Sequence, residues 1–361
     1  MVLTLNAIFS DPEIIQAVID RTVATEQDPI YWQRYLEFEQ TNSRTFKTYI
    51  GTSTGVVMGS IIDRNSTKPI RERRALGSGF GEVATLGDSY QMDNDRLDLL
   101  RRLTYRFNAR GANQAVVLDE IVNFLVDDIR QLTLAPHKRM DYVVGQLRST
   151  GKAEVKVDEN RKGVELIDIN LPVKHLKPEG AVKDSLIAYL QEVIAEMRPT
   201  VGTFGAIEMT RKTFNEVLLK SAEFKNTYKS LYGNAEFAMA GGLLTDSMVN
   251  QLIVGLGLPA IRLVEEFVTK EDGTVVNAFA DGKISLLPSG SLGKMKWHTP
   301  YEITDPVPNK IYTPLAGGHF ISAVRTDEGR FTEYMAEWLP DFANPNKIAI
   351  VDLENVIGAL E

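Results

Sequence analysis

The chain has 361 residues, of which 43% are hydrophobic, and a formal net charge of −8. This length allows two or three domains with a sizeable core, and the net acidity argues against general affinity for nucleic acid, although it permits a local basic patch. The sequence contains no cysteine, which excludes a disulfide scaffold and thiol chemistry and fits a reducing compartment. We expect no signal peptide, because the first residues lack a basic start and a long apolar run, and no membrane span.

The first predicted elements are a short helix and an aromatic segment. Residues 11–23 predict an amphipathic helix, because Asp11 is a suitable N-cap and Pro12 suits the first helical position. Its apolar face consists of Ile14, Ile15, Val18 and Ile19. Residues 29–39 carry four aromatic side chains, which indicates a segment buried in the core or packed at an interface.

Residues 46–92 form a long stretch that is rich in glycine and arginine. Frequent glycine and a proline disfavour both a helix and a central strand, so we predict an extended two-stranded loop. A lone two-stranded ribbon is marginal in water and must lie on a neighbouring surface. Another copy of the same chain is the simplest source of that surface, which favours assembly over catalysis.

Two helices and a hairpin are predicted next. Residues 93–106 favour a short helix, and apolar side chains at helical spacing predict a long helix from about 113 to 149. We expect Pro136 to kink or interrupt it; if continuous, it is about 50 Å long at ~1.5 Å per residue. Alternating apolar residues in 152–171 predict a β-hairpin.

The second half of the chain has an α/β pattern. Helices are predicted at 184–197, 211–225 and 244–258, the last capped by Thr245 or Asp246 and ended by glycine. A strand region is predicted at 199–210. Residues 259–290 predict three strands with turns at Asp272–Gly273 and Asp281–Gly282, and the remainder is mostly strands and loops.

Two short motifs were weighed as catalytic or nucleotide sites. Residues 51–55 match the G-x-S-x-G nucleophile elbow, with Ser53 as the nucleophile, but the following segment is β-prone where the motif needs a helix. Residues 77–81 are glycine-rich but lack the G-x-G-x-x-G spacing. We therefore favour a flexible loop for the first motif and a glycine-rich turn for the second.

Metal-ligating and other polar residues give no clear site. The histidines, at 137, 175, 298 and 319, form no short-spaced pair of the kind that zinc or di-iron sites use. Asp127 and Asp128 are adjacent on a predicted helix and diverge, so a solvated pair is expected. Asn65 is a formal glycosylation acceptor without a signal peptide to give it meaning. We predict no metal, no cofactor and no catalytic residue.

Two clusters of basic residues are candidate contact sites. They can bind nucleic-acid phosphates, or they can pair with acidic groups of a neighbouring subunit, which the acidic chain favours. One cluster consists of Arg64, Lys68, Arg71, Arg73 and Arg74, and the other of Arg101, Arg102, Arg106 and Arg110.

The order of these elements resembles that of tailed-phage major capsid proteins, most closely the lambda-type family (protein E family). The similar stretches include YLEFEQTNSRTFKTYIG, the hairpin segment RSTGKAEVKVDENRKGVELIDINLP, and GTFGAIEMTRKTFNEVLLKS. The segment from residue 257 to 302, which contains the step Leu287-Pro-Ser-Gly290, and the tail FANPNKIAIVDLENVIGAL are similar too. The resemblance covers most of the chain.

The resemblance implies an α+β fold of the Hong Kong ninety-seven type, with a long spine helix. The implied parts are an N-terminal arm (1–45), an extension loop (46–92), a peripheral domain (93–178), an axial domain (179–290), a return to the peripheral domain (291–341) and a C-terminal axial strand (342–361).

The resemblance also implies a structural function without catalysis. Hexamers and pentamers of the chain would form the icosahedral head of a double-stranded DNA phage, assembled in the host cytoplasm. Implied partners are a separate scaffolding protein, a portal, a possible decoration protein and packaged DNA, which the shell touches weakly and without specificity. Lys68 is the sole candidate in the loop for the lysine–asparagine link of some relatives, but no acceptor matches, and we expect no crosslink.

One hypothesis and three alternatives accompany this interpretation. Glycines in the loop (Gly51, Gly55 and Gly59) would let it swing during expansion of the shell. An encapsulin-like nanocompartment keeps the fold and changes the cargo. An α/β hydrolase using Ser53 is an alternative of another class. A phage tail or other tube-forming protein is the third, and the long helix argues against it.

Overall fold

The structure is a computed structural model that describes most of the second half of the chain and selected parts of the first. Within strands and helices, no side chain is described for residues 46–50, 77–82, 127 and 168. The described residues are 3–4, 7–8, 14, 17–18, 29–50, 77–154, 168–178, 185–233, 235, 237, 241–327 and 329–353.

The longest element is a helix of 37 residues, α2 (Gln114–Thr150), which spans about 55 Å at ~1.5 Å per residue. It ends at Gly151, whose left-handed backbone (φ 70°) lets its N–H donate to the Leu147 carbonyl. Pro136 lies inside this helix, which continues through it and is bent. The predicted interruption is therefore wrong, whereas the predicted alternative, a kink, agrees with the bend. A proline removes one helical hydrogen bond, and in a helix this long the packing on both sides of it is enough to keep the element whole.

A six-stranded sheet packs against α2 and the preceding helix, α1 (Asn94–Asn108), which Asp93 caps through its side chain. Its central strand, β16 (Gly329–Phe342), has β4 (Ala84–Met92) on one side. On the other side it pairs first with β15 (Phe320–Thr326) and then with β13 (Gly293–His298). The outer strands are β14 (Ile311–Pro314), antiparallel to β15, and β1 (Leu36–Gln40), parallel to β13.

A five-stranded sheet lies beyond the C-terminal end of α2. Its order is β7-β17-β12-β8-β9, and β12 is the antiparallel centre. These strands are β7 (Lys174–Leu176), β8 (Phe204–Thr210), β9 (Ile261–Val264), β12 (Lys283–Pro288) and β17 (Ala349–Asp352). Three helices contribute to its core: α3 (Leu186–Val201), α4 (Ala222–Tyr232) and α5 (Asp246–Gly255).

The segment 211–225 is not the single helix that its pattern predicts. A helical turn at Arg211–Thr213 leads into a π-helix at Phe214–Leu219, and α4 begins anew because the Ser221 side chain caps it. Residues 259–290 likewise contain four strands rather than three, since β9 is followed by the pair β10 (Phe267–Thr269) and β11 (Val275–Asn277). The predicted cap of α5 is confirmed as Thr245.

Two small ribbons leave the sheets. The first pairs β2 (Thr45–Ile50) with β3 (Gly77–Glu82) as a separate two-stranded sheet, as predicted for the base of the extended loop. The second pairs β5 (Lys152–Glu154) with β6 (Asp168–Asn170), which confirms the base of the predicted hairpin. None of the described helices is long and apolar enough to cross a membrane.

Parts of the N-terminal segment pack on the six-stranded sheet and its helices. Ile14 and Val18, two residues of the predicted apolar helix face, are buried beside side chains of α1 and α2. The other two, Ile15 and Ile19, lie outside the described residues. In the aromatic segment Trp32 and Tyr35 are buried, which confirms that this segment belongs to the core.

Candidate assembly surfaces

The junction between the two sheets is held by a buried ionic cluster centred on Arg148. This residue lies in the last turn of α2, and its side chain is 1% exposed. One guanidinium nitrogen pairs with Glu208 in β8, and another pairs with Glu266, which follows β9. The Tyr35 ring stacks on the guanidinium at 3.8 Å, and its hydroxyl donates to Glu208 at 2.8 Å.

The charges in this cluster are balanced within the chain. Burial lowers the pKa of Arg148, but the two carboxylates raise it by more, so the guanidinium stays charged. Burial raises the pKa of Glu266 in spite of Arg148. Arg262, whose side chain is half exposed, adds a contact to Glu208 at 3.1 Å. The cluster thus ties together the N-terminal segment, α2 and the five-stranded sheet.

A second junction, made of aromatic and histidine rings, fixes the N-terminal segment to α2 and β16. Trp32 donates from Nε1 to Nδ1 of His137 at 3.2 Å, and Trp338 packs on both rings. His319 lies edge-on to His137 with ring centroids 6.3 Å apart. Burial lowers the pKa of His137 to about 3 and that of His319 to about 4, so both are neutral at pH 7.

The Leu132 carbonyl, one turn before Pro136, lies near the imidazole of His319. The Leu132 carbonyl has no helical donor, because residue 136 has no N–H. It faces the His319 imidazole and raises the pKa of that ring, although less than burial lowers it. The Leu132 carbonyl and the His319 ring nitrogens do not meet the geometric criteria of a hydrogen bond.

The N-terminal segment is also anchored by a buried carboxylate. Asp141 of α2 accepts hydrogen bonds from the backbone N–H groups of Tyr31 and Trp32, each at 2.8 Å. Burial raises the pKa of Asp141 by more than these two bonds and Lys138 lower it, and the resulting pKa is about 7.

The four histidines form no metal site among the described residues, where no group of three or more suitable ligands occurs. His298 contacts Glu337 at 2.6 Å, and His175 is exposed. His137 and His319 meet only through the fold, and both serve as packing groups.

The basic residues near α1 are partly paired within the chain. Arg106 makes a bidentate contact with Glu120 at 2.7 and 3.2 Å, and Arg101 donates to the Tyr105 hydroxyl at 3.2 Å. Arg101 and Arg106 thus have partners within the chain, and the predicted pairing of this second cluster with a neighbouring subunit stays a prediction. The adjacent pair Asp127–Asp128 is also not wholly solvated, since Asp128 binds Arg96 at 3.1 Å.

Most other predicted site residues lie outside the described residues. These are the first basic cluster, Ser53, Asn65 and the proposed hinge glycines, namely Arg64, Lys68, Arg71, Arg73, Arg74, Gly51, Gly55 and Gly59. The segment 77–81 is described, and it is an extended strand, β3, paired with β2. The prediction of a glycine-rich turn there is wrong, because the partner strand holds these glycines in extended backbone.

Exposed apolar side chains occur at several projecting parts of the chain. The most exposed are Tyr301 (70%), in the connection between β13 and β14, and Leu243 (67%), before α5. Others lie on α1 and α2, on the β10–β11 pair and at the ends of α4 and α5, namely Leu99, Tyr105, Val116, Phe267, Val275, Leu231 and Val254. These side chains lie on separate elements, and single exposed apolar residues are normal on a protein surface, so they do not by themselves identify a contact site.

Sequence reasoning missed the Arg148 cluster. A signal was present, because Glu208 interrupts the otherwise apolar strand FGAIEMT, and a carboxylate in a buried strand needs a cation. The sequence could not identify that cation, since Arg148 lies 60 residues away.

Comparisons with known proteins establish the fold. No family model and no curated protein matches the sequence. A prophage protein of E. coli CFT073 assigned as a capsid protein is 11% identical, has a TM-score of 0.56 and matches over 98% of this chain and 99% of that one. A phage-related protein of Bordetella bronchiseptica RB50 is 7% identical, with a TM-score of 0.49, over 95% of this chain and 96% of that one. A chain of the mature capsid of bacteriophage PhiM1 is 12% identical, with a TM-score of 0.46, over 92% of this chain and 89% of that one.

The first of these likenesses confirms the predicted fold class. The chain has the mixed α+β fold of the Hong Kong ninety-seven type, with the long helix α2 as its spine. The closer resemblance to the lambda-type family stays a prediction.

Proposed function

We propose that this chain is the major capsid protein of a tailed double-stranded DNA phage, of the lambda type, and that hexamers and pentamers of it form a closed icosahedral head. The observation that carries the proposal is a capsid fold that accounts for nearly the whole chain, from the N-terminal segment to β17. The separate β2–β3 ribbon supports it, because two strands alone are marginal in water and gain stability on a neighbouring subunit.

The proposed domain organisation follows the order inferred from the sequence. The buried cluster around Arg148 then joins the peripheral and axial domains within one subunit, and the cluster around Trp32 joins the arm to the peripheral domain. The proposed parts are the arm (1–45), the extension loop (46–92), the peripheral domain (93–178 and 291–341) and the axial domain (179–290 and 342–361).

The proposed partners are those of a phage head that is assembled first and then packaged with DNA. They are other copies of the chain, a separate scaffolding protein, a portal and a possible decoration protein. DNA inside meets an acidic chain, so its contact is weak and salt-sensitive only at local basic patches. The extension-loop cluster, Arg64, Lys68, Arg71, Arg73 and Arg74, would pair with acidic groups of the next subunit. No catalytic role is proposed.

Negative-stain electron microscopy of the chain, expressed with and without its neighbouring genes, tests the proposal. Closed shells, or rings of five and six subunits, are the expected result, and uniform shells of native size should need the scaffolding gene. A dispersed monomer without rings at any concentration or salt would contradict the proposal. Ester hydrolysis lost in Ser53→Ala would favour the hydrolase instead.

Genomic context separates the head from a nanocompartment of the same fold. Portal, terminase and tail genes beside this one are expected. A single cargo enzyme in their place would replace the phage head with an encapsulin-like shell, and the shell-forming role would stand.

A further inference from the structure

The six-stranded sheet has three outer strands, and two of them are protected against further pairing. On β1, Glu37 pairs with Lys294 at 2.8 Å and Glu39 pairs with Lys296, so a row of charges covers the edge. Strand β14 has only four residues and ends in Pro314, which has no N–H to donate. Short strands, charges and proline are the usual means by which natural sheets block their edges.

The third outer strand, β4, is less protected. It has nine residues without lysine or proline, and it pairs with β16 in unbroken register from Ala84 opposite Trp338 to Met92 opposite Arg330. The only charged residue in β4 is Asp88, and it accepts a hydrogen bond from the Tyr334 hydroxyl at 2.7 Å. In the part of the chain that the structure describes, no strand lies on the other side of β4.

The middle of β4 therefore presents backbone groups outward. In an antiparallel pair, every second residue directs its N–H and carbonyl away from the partner strand. Residues 87–90 are exposed, so neither face of the strand shields this outer edge. An extended segment can satisfy such a row of donors and acceptors along its whole length.

The side chains around this edge indicate which kind of partner can bind there. Gly87, Asp88 and Ser89 are small or polar, and Tyr90, which is 38% exposed, is the only large exposed apolar residue in β4. One ring gives a foreign peptide little to bind specifically. Pairing through backbone alone is weak and unspecific, and it becomes effective when the segment is held at high local concentration by other contacts. A neighbouring subunit in a shell provides that condition.

We propose that the outer edge of β4, at residues 86–90, accepts an extended segment of a second copy of this chain as an added β-strand. The choice of partner rests on the proposed function. The contact is heterologous, because the accepting edge and the donated segment differ, so each copy accepts one strand and donates another around a ring. The β2–β3 ribbon is joined to β4 through Val83 alone.

Hydrogen exchange of the backbone amides tests this pairing directly. Intact chain would be compared as dispersed subunits and as assembled particles, with residue-level fragmentation over 84–92. We expect alternate amides in 86–90 to exchange fast in subunits and about 100-fold or more slowly in particles. The amides of β16 at 331–335, a stretch paired on both sides within one chain, are the control and should be slow in both states.

The possible outcomes are distinct. Fast exchange in particles overturns this inference and leaves the proposed function standing. Slow exchange already in dispersed subunits also overturns it, because a segment of the same chain then fills the edge. A chain that forms neither rings nor particles overturns the proposed function and this inference with it.

Two adjacent proline variants give an independent test. Of Asp88 and Ser89, one directs its N–H to β16 and the other directs it outward. We expect one of Asp88→Pro and Ser89→Pro to lower the melting temperature of the subunit, and the other to keep it while abolishing particles. Asp88→Ala and Ser89→Ala control for the lost side chains. If the proline variant with the unchanged melting temperature still forms particles, the inference is wrong.

Discussion

Replacing Arg148 by methionine should be among the most damaging single changes in this chain. The substitution keeps much of the side-chain volume and removes the cation that faces Glu208 and Glu266. Glu208 retains Arg262, whose side chain is half exposed, whereas Glu266 is left buried without its ionic partner. Breaking a buried pair from one side costs about 3–5 kcal/mol, because a charge remains in a place from which water is excluded.

The assay is urea unfolding of dispersed subunits at several pH values. Burial already raises the pKa of Glu266 and Arg148 lowers it, so the loss of Arg148 raises it further. A carboxyl group whose pKa is higher in the folded than in the unfolded state destabilises the folded state at pH values above its unfolded pKa. At pH values below the unfolded pKa it has no such effect. The deficit of Arg148→Met should therefore be largest at pH 7–8 and shrink as the pH falls towards about 4.

Two control variants test whether the buried charges cause the loss of stability. Arg262→Met removes the half-exposed partner and should cost no more than about 1 kcal/mol. Combining Arg148→Met with Glu208→Gln and Glu266→Gln should recover part of the loss at pH 7, since the buried charges are then gone. If the free energy of unfolding of Arg148→Met is within about 1 kcal/mol of the wild-type value at pH 7, and the difference does not depend on pH, the cluster does not stabilise the junction.

Three further predictions concern single features of the fold. Pro136→Ala restores a donor inside α2 and should raise the free energy of unfolding by about 1 kcal/mol or more, measured by urea titration; a loss would show that the proline is required there. Asp141→Asn keeps the acceptor for the two N–H groups and removes a buried charge, so it should stabilise the subunit at pH 8 relative to wild type and much less at pH 5, as followed by melting temperature. Replacing the loop glycines together by alanine should hinder expansion of the particle more than folding of the subunit, and normal expansion seen by electron microscopy would refute the hinge; these are Gly51, Gly55 and Gly59.

The sequence predicted local elements well wherever a local rule decided them. The α5 cap at Thr245 and the end of α2 just after residue 149 each depend on residues within one helical turn. The resemblance to a capsid family then supplied the arrangement that local rules could not, and the fold confirms it at the level of fold class.

The failures have physical causes as well. Pro136 predicts a kink or an interruption of α2, and the helix is bent but continuous, since one lost hydrogen bond does not outweigh the packing along its length. The pattern of residues 211–225 predicts one continuous helix, whereas the Ser221 side chain caps a new helix, α4. The Arg148 cluster was missed, since its members are far apart in sequence and only the fold brings them together.

The pairing of the strands also bears on how the chain is made. Leu36 lies opposite Gly293, and Ala84 lies opposite Trp338. The five-stranded sheet likewise joins Lys174 to Ala349. Neither large sheet can be completed until the ribosome has released almost the entire polypeptide. The strands made early, β1, β4 and β7, therefore lack these partners during synthesis. A truncated product lacks the centre of one sheet or a strand of the other, and such fragments exclude themselves from any symmetric assembly.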